Sequence, residues 1–291
     1  MDMMQQLVNG LSLGSIYALL ALGYTMVYGI IKLINFAHGE IYMIGAFIGY
    51  YVTSKLNLGL IPALLIAMSG CALLGVLIEF LAYRPLRKST RIAALITAIG
   101  VSFLLQSLMI YFIGAETRPF PQIIENTVYE LGLFTINKIQ IIILVTTFIL
   151  MILLQVIVKK TKMGKAMRAV SVDPDAAQLM GINVNHTISF TFALGSALAG
   201  AAGVLIGLYY NSIDPMMGVS PGLKAFIAAV FGGIGIIPGA ALGGIAIGII
   251  ETFVSAVGLT AYRDAVVYAI LIIILLVKPA GLLGKHVKEK V

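Results

Sequence analysis

Lys138-Ile-Gln-Ile-Ile-Ile-Leu-Val-Thr-Thr-Phe-Ile-Leu-Met-Ile-Leu-Leu-Gln-Val-Ile-Val158 carries one charge, at its first residue. As a helix rising about 1.5 Å per residue it spans about 30 Å, the thickness of a bilayer's hydrocarbon core. No polar face runs along it, so a water-soluble bundle has no use for it. Five cations follow at once, Lys159, Lys160, Lys162, Lys165 and Arg168. The pair of features, an apolar run and a basic exit, predicts a membrane helix and says which end faces the cytosol.

The rest of the chain repeats the first feature. Apolar runs occur at 6–30, 39–54, 58–82, 92–113, 187–210, 222–235, 237–257 and 264–277. Those at 222–235 and 264–277 are short for a full span. The prediction is an all-α fold: a polytopic transmembrane helical bundle of eight or nine membrane helices with interrupted segments. A closed barrel is the only other spanning solution, and its period-two alternation is missing. Composition agrees. Apolar types make up 60% of the 291 residues, charged types 11%, and mean hydropathy is +1.05. Soluble domains sit near about 25% charged, so an ordinary cytosolic enzyme, a disordered chain and a disulfide scaffold are excluded. The single Cys71 lies in an apolar run and reads as a small packing residue. No His/Cys grouping offers a metal site.

Thirteen of the 19 basic residues fall in three polar stretches. They are Arg84, Arg87, Lys88 and Arg91; the five cations after Val158; and Lys278, Lys285, Lys288 and Lys290. By the positive-inside rule these stretches, including a cytosolic loop at 159–186, face the cytosol. Loop 114–137 has one basic residue, Arg118, against Glu116, Glu125 and Glu130, and belongs outside as the extracytoplasmic loop. The opening Met1-Asp2-Met3-Met4-Gln5-Gln6 has no cation, so the N-terminus is placed outside and the first run is read as retained. The net charge of +7 is thus a topology signal and a contact with anionic lipid headgroups. It forms no contiguous basic face, so no nucleic acid is expected as a partner.

Small residues recur every fourth position: Gly10, Gly14 and Ala18; Gly45 and Gly49; Ala199, Gly203 and Gly207; Ala240, Gly244 and Gly248. Helices in lipid associate through such stripes. Two places break the apolar pattern. Lys32, Asn35, His38 and Glu40 fall within nine residues, followed or flanked by Gly39. They line a pathway, or they form a solvated turn near a helix start. Phe231-Gly-Gly-Ile-Gly235-Ile-Ile-Pro238-Gly239 reads as a broken helix pair. Two lone acids remain. Glu79 is close enough to Arg84 for a local ion pair. Glu251 pairs with Lys224 or another subunit, or lines a cavity.

Thr161 to Ile182 is the most informative polar stretch. Asp173 suits a helix N-cap and Pro174 the first helical position. Asp175 complements the positive helix end, and Gly181 suits a left-handed cap. A helix of about seven residues, 174–180, follows. So short a helix is marginal alone and needs a docking partner, to which Leu179 and Met180 offer an apolar surface.

Asp175-Ala176-Ala177-x-x-x-Gly181 resembles the EAA-x-x-x-G loop of ABC importer permeases, with Asp in place of Glu and without the downstream I-x-L-P part. Ile34-Asn-Phe-Ala-His-Gly-Glu40, Tyr83-Arg-Pro-Leu-Arg87, Gly164-Lys-Ala-Met-Arg-Ala169, Gly181-Ile-Asn183 and Phe231-Gly-Gly-Ile-Gly235 follow in an order similar to the branched-chain amino acid permease family of LivH type. That resemblance covers nearly the whole chain. It implies the ABC importer permease fold over 1–291 as a single transmembrane permease domain, in the inner (plasma) membrane of a bacterial cell. It implies a LivM-type permease subunit, two ABC ATPase subunits, and a soluble extracytoplasmic binding protein delivering leucine, isoleucine or valine. The chain itself would be no enzyme and hold no cofactor, ATP being hydrolysed on partner subunits. Coupling would fall to Asp175, Ala176, Ala177 and Gly181, with Lys165 and Arg168 as flanking contacts. Asn35, His38, Gly39, Glu40 and Glu251 would serve the translocation pathway. An ion-gradient-driven secondary transporter, with Glu79 and Glu251 at its ion site, or a passive channel for a small solute, is the alternative.

Overall fold

Each apolar run folds as one helix, and the polar stretch after Val158 folds as two more. The computed structural model describes residues 3–87, 89–130, 132 and 134–284. Lys88, Lys285, Lys288 and Lys290, counted above for topology, and Met1 and Asp2 lie outside the described residues. The helices are α1 (Met3–Ile31), α2 (His38–Ser54), α3 (Leu60–Ile78), α4 (Arg91–Ile113), α5 (Lys138–Lys160), α6 (Lys162–Val172), α7 (Pro174–Leu179), α8 (Val184–Tyr210), α9 (Val219–Gly232), α10 (Ile237–Ala256) and α11 (Arg263–Val277). A π-helical turn, Glu79–Tyr83, extends α3. A short 3-10 turn, Thr260–Tyr262, leads into α11.

Among the described residues seven helices are long and apolar enough to cross a membrane: α1, α3 with its π turn, α4, α5, α8, α10, and α11 with its 3-10 turn. The chain is therefore a multi-pass helical membrane protein; the expected count of eight or nine membrane helices is not confirmed by these seven. α2 and α9 have 17 and 14 residues. At about 1.5 Å per residue α9 covers about 21 Å, well short of a 30 Å hydrocarbon core. Both are interrupted members of the bundle. α9 stops where Gly233 and Gly235 take positive φ angles of 109° and 89°, a conformation that glycine adopts without steric cost.

The fold departs from pure α in one respect. The chain between α4 and α5 holds three short strands, β1 (Arg118–Pro119), β2 (Val128–Glu130) and β3 (Thr135–Asn137), and β4 (Ser212–Ile213) follows α8. β2 pairs antiparallel with β3, and β1 with β4. These pairs lie at the end of the bundle opposite the basic stretches.

Small-residue stripes set the packing. A Cβ on Gly14 would stand 2.7 Å from the backbone of Ile245, and Gly248 of α10 lies directly against Gly14. A Cβ on Gly45 of α2 would meet the α8 backbone at Gly200 at 2.5 Å. Backbones this close leave no room for side chains, and dispersion contacts replace the hydrophobic drive that lipid does not supply. α1 and α8 thereby occupy the centre. Ile16, Leu19, Leu20 and Leu22 of α1 and Ala199, Ala201, Ala202 and Val204 of α8 are fully buried. The outer faces of α3, α4, α5 and α11 show large apolar side chains such as Leu73, Phe103, Phe148 and Leu276.

Candidate functional site

At the basic end, α5 stops and α6 starts across one residue. Thr161 Oγ1 accepts a hydrogen bond from the Gly164 N–H at 3.0 Å, capping α6. Gly164 lies against the Ile157 and Val158 carbonyls, so α6 folds back on α5 with no gap. Met167 and Val170 face inward, Lys162 and Lys165 face water, and the Arg168 guanidinium donates to the Val158 carbonyl.

α7 follows with both ends satisfied. Asp173 Oδ1 accepts from the Asp175 and Ala176 N–H groups, each at 3.0 Å. At the other end the Gly181 N–H donates to Gln178 O and the Ile182 N–H to Ala177 O, both at 3.0 Å, with Gly181 at φ +84°. This is a complete Schellman closure. The helix has six residues, 174–179, rather than seven. Asp175, Ala176 and Gly181 lie on the surface, whereas Ala177 is buried and seats the helix on its neighbours. Leu179 and Met180 are 89% and 83% exposed, two large apolar side chains presented outward together.

Beside this platform Glu79 ties the end of α3 to the start of α8. Its carboxylate accepts from Arg84 Nη2 at 3.0 Å, from Ser189 Oγ at 2.6 Å and from Arg87. Arg87 Nη1 also donates to Asn185 Oδ1 at 2.6 Å. Burial pushes the Arg87 guanidinium below its ordinary pKa, and the Glu79 charge opposes that shift. The π turn at 79–83 aims Glu79 inward at this junction.

Asn35, His38, Gly39 and Glu40 are all buried at the start of α2. Tyr83 OH donates to Asn35 Oδ1 at 3.1 Å, and Ser102 Oγ of α4 donates to Glu40 Oε1 at 3.2 Å. His38 Nε2 and Glu40 Oε2 find no partner among the described residues. Gly39 packs on Gly218, so the first turns of the two interrupted helices, α2 and α9, meet here.

Glu251 of α10 belongs to a second cluster. Lys224 Nζ of α9 lies 2.8 Å from Glu251 Oε1 and 2.7 Å from Asp264 Oδ1. Tyr17 OH of α1 donates to Glu251 Oε2 at 2.9 Å. Arg263 Nε stands 3.4 Å from Glu251 Oε1 and 3.8 Å from Asp264 Oδ1. Two cations and two anions, net charge zero, are thus drawn from three helices. Lys224 and Glu251 are 3% and 2% exposed, Arg263 and Asp264 42% and 43%. Their depth follows from two rulers. Glu251 stands 14 residues along α10 from Ile237 at the basic end, about 21 Å. Tyr17 is eight residues from Asn9, which accepts from Gln140 near the far end of α5, about 12 Å. The cluster therefore lies inside the hydrocarbon thickness, where each charge costs about 2.5–3.5 kcal/mol on insertion scales.

A cleft of about 90 Å³ opens near the basic end between α1, α6 and the α9–α10 turn, lined by Thr25, Gly29, Val158, Met167, Arg168 and Gly235. That is room for a few waters.

The structure brings the six coupling residues of the sequence reading onto one platform and separates them from the other set. Within that other set, Asn35 through Glu40 form one cluster and Glu251 another. Of the readings left open for Glu251, pairing with Lys224 is the one observed. α6 was not foreseen, nor were Arg263, Asp264 and Tyr17. Signals existed: Thr161 three residues before Gly164, the spacing of Met163, Met167 and Val170, and two opposite charges heading the last apolar run.

A family model described as branched-chain amino acid transport system / permease component matches residues 6–275. The chain is 43% identical to the high-affinity branched-chain amino acid transport system permease protein BraD of Pseudomonas aeruginosa, over 99% of this chain and 98% of that protein. It is also 43% identical to the corresponding protein LivH of Escherichia coli K12, over 99% of this chain and 97% of LivH. Identity to a probable LivH permease of Methanocaldococcus jannaschii is 30%, over 94% and 90%.

Proposed function

The chain belongs to the family of branched-chain amino acid transport system permease components, and we propose on that footing that it is a membrane subunit of an ATP-driven importer of leucine, isoleucine or valine. All of 1–291 works as one permease domain in the inner membrane of a bacterial cell, basic end in the cytosol. Its partners are a LivM-type permease subunit, two ABC ATPase subunits and an extracytoplasmic amino-acid-binding protein. ATP is hydrolysed on the ATPase subunits. This chain breaks no bond and needs no cofactor for its part.

The observation that carries the coupling assignment is α7. A six-residue helix with both ends closed projects Leu179 and Met180 into water. Exposed apolar pairs on a rigid support are contact surfaces. Asp175, Ala176 and Gly181 share that surface, Lys165 and Arg168 flank it, and Ala177 fixes it from behind. An ATPase groove that grips α7 differently in its open and closed states would shift the bundle by that difference in docking energy. The push has a rigid route: α7 is seated on α8, and the Glu79 clamp ties α8 to α3. Asn35, His38, Gly39, Glu40 and Glu251, being buried, serve the pathway by fixing the helices that wall it.

An ion-driven carrier would need a free carboxylate at Glu79 or Glu251. Each is instead engaged by two cations.

The test is a tagged chain co-expressed with its partners. Leu179→Asp with Met180→Asp should cut ATPase co-purification by at least about tenfold, about 1.4 kcal/mol, while membrane insertion and melting temperature stay unchanged. Normal association would remove the coupling assignment. In proteoliposomes holding the whole complex, leucine uptake should require ATP. Uptake that follows a proton or sodium gradient without ATP would overturn the importer.

A further inference from the structure

The route of the solute has to be found outside the centre of this chain. α1 and α8 fill the bundle axis with fully buried residues such as Leu20, Leu22, Ala201 and Leu205. A path across the membrane therefore runs along an outer face, walled on its other side by another subunit. Most outer faces are plain hydrocarbon: Leu65 and Leu73 on α3, Leu104 on α4, Ile149 on α5. The elbow between α10 and α11 is different. There Arg263 and Asp264 emerge, 42% and 43% exposed, at a depth where lipid would exact a cost for both. A carboxylate on so short a stem as Asp264 cannot reach the headgroups, so this face meets water or protein.

Behind the pair, every charge is tied down. Glu251 takes contacts from Tyr17, Lys224 and Arg263. Lys224 is shared between Glu251 and Asp264. In front, the pair is open. Among the described residues no hydrogen bond engages the Arg263 Nη groups or Asp264 Oδ2. The buried charges thus orient an outward-facing cation and anion whose nearest recorded approach is 3.8 Å.

We propose that Arg263 and Asp264 form a head-group site on the translocation path, Arg263 taking the carboxylate and Asp264 the ammonium of a zwitterionic amino acid. This rests on the importer reading above and adds where, and by which groups, the polar end of the solute is met. The Arg263 guanidinium offers paired N–H donors suited to a carboxylate. The cluster's zero net charge is what such a solute requires. Admitting a zwitterion leaves the local charge at zero, whereas a monoanion or monocation would leave one charge unbalanced inside the membrane. Such a site would favour whole amino acids over their deaminated or decarboxylated analogues, with the apolar side chain left to the hydrocarbon-like walls.

The experiment uses the complete complex in proteoliposomes with its binding protein. Asp264→Asn and Arg263→Gln are compared with wild type, and Asp264→Glu and Arg263→Lys serve as charge-keeping controls. Three quantities are read: subunit co-purification, ATP hydrolysis without solute, and leucine uptake. The expected result is intact assembly, hydrolysis within about twofold of wild type, and leucine uptake down about tenfold or more in the two charge-removing variants. The charge-keeping variants should recover most of it. Unchanged uptake in both charge-removing variants would overturn the site. Loss of subunit co-purification would also overturn it, by showing the pair to be a subunit contact. A wild-type complex with no ATP-dependent leucine uptake would sink the importer reading itself, and this site with it.

Discussion

Glu79 and Glu251 look alike in the sequence, each a lone acid in an apolar run, and both are buried in the fold. Their surroundings differ. Glu79 sits at the basic end, and its cations come from the next turns of the same segment, Arg84 and Arg87, with Ser189 and Asn185 closing the group from α8. Glu251 lies within the membrane thickness, and its partners come from α1, α9 and α11. The first cluster carries a surplus positive charge that water can screen. The second is neutral, with Lys224 and Glu251 dry behind an exposed Arg263 and Asp264. A buried acid near its own arginines is a clamp between neighbouring helices. A buried acid whose partners arrive from distant helices fixes a site that exists only once the whole bundle has closed.

That contrast gives three measurements, largest effect first. Lys224→Met strands the Glu251 carboxylate, and breaking a buried pair on one side costs about 3–5 kcal/mol. Purified protein should show a sharply lowered melting temperature, and Lys224→Met with Glu251→Leu should recover much of the loss. A single variant as stable as wild type would erase the distinction between the clusters. Glu79→Gln should cost less, because the amide still accepts hydrogen bonds from its neighbours and both arginines keep partial access to water. A loss as large as that of Lys224→Met would mean the clamp is as dry as the inner cluster. The smallest effect is in salt. Raising sodium chloride from low to high concentration should narrow the gap between wild type and Glu79→Gln while leaving the Lys224→Met gap in place. Equal narrowing of both gaps would show that water reaches Glu251.

Much of this fold could be read from single stretches. Apolar runs located the long helices because a bilayer leaves the backbone no alternative to internal hydrogen bonding. Asp173, Pro174 and Gly181 foretold both ends of α7 because capping is decided within a few residues. The stripe of Gly10, Gly14 and Ala18 foretold a close contact but not its partner, since any small-residue face would serve. α6 was hidden because its five neighbouring cations read as loop, although Met163, Met167 and Val170 carry a helical period. The exact number of membrane helices was harder to read because of α2 and α9, whose interrupted ends depend on what they pack against. Arg263 and Asp264 were overlooked for a similar reason: two charges at a helix start are ordinary until Lys224 and Glu251 arrive from other helices.

The contact of α1 with α10 has a consequence for how the molecule is made. Gly10 and Gly14 lie on α1, and their partners Ile245 and Gly248 emerge from the ribosome more than two hundred residues later. At about 5–20 residues per second that is a wait of roughly ten to fifty seconds. Throughout it, the most tightly fitted surface of α1 stands in the bilayer without its mate, so the insertion machinery, or the lipid beside it, has to shelter a glycine groove from wrong neighbours until the last quarter of the chain is delivered.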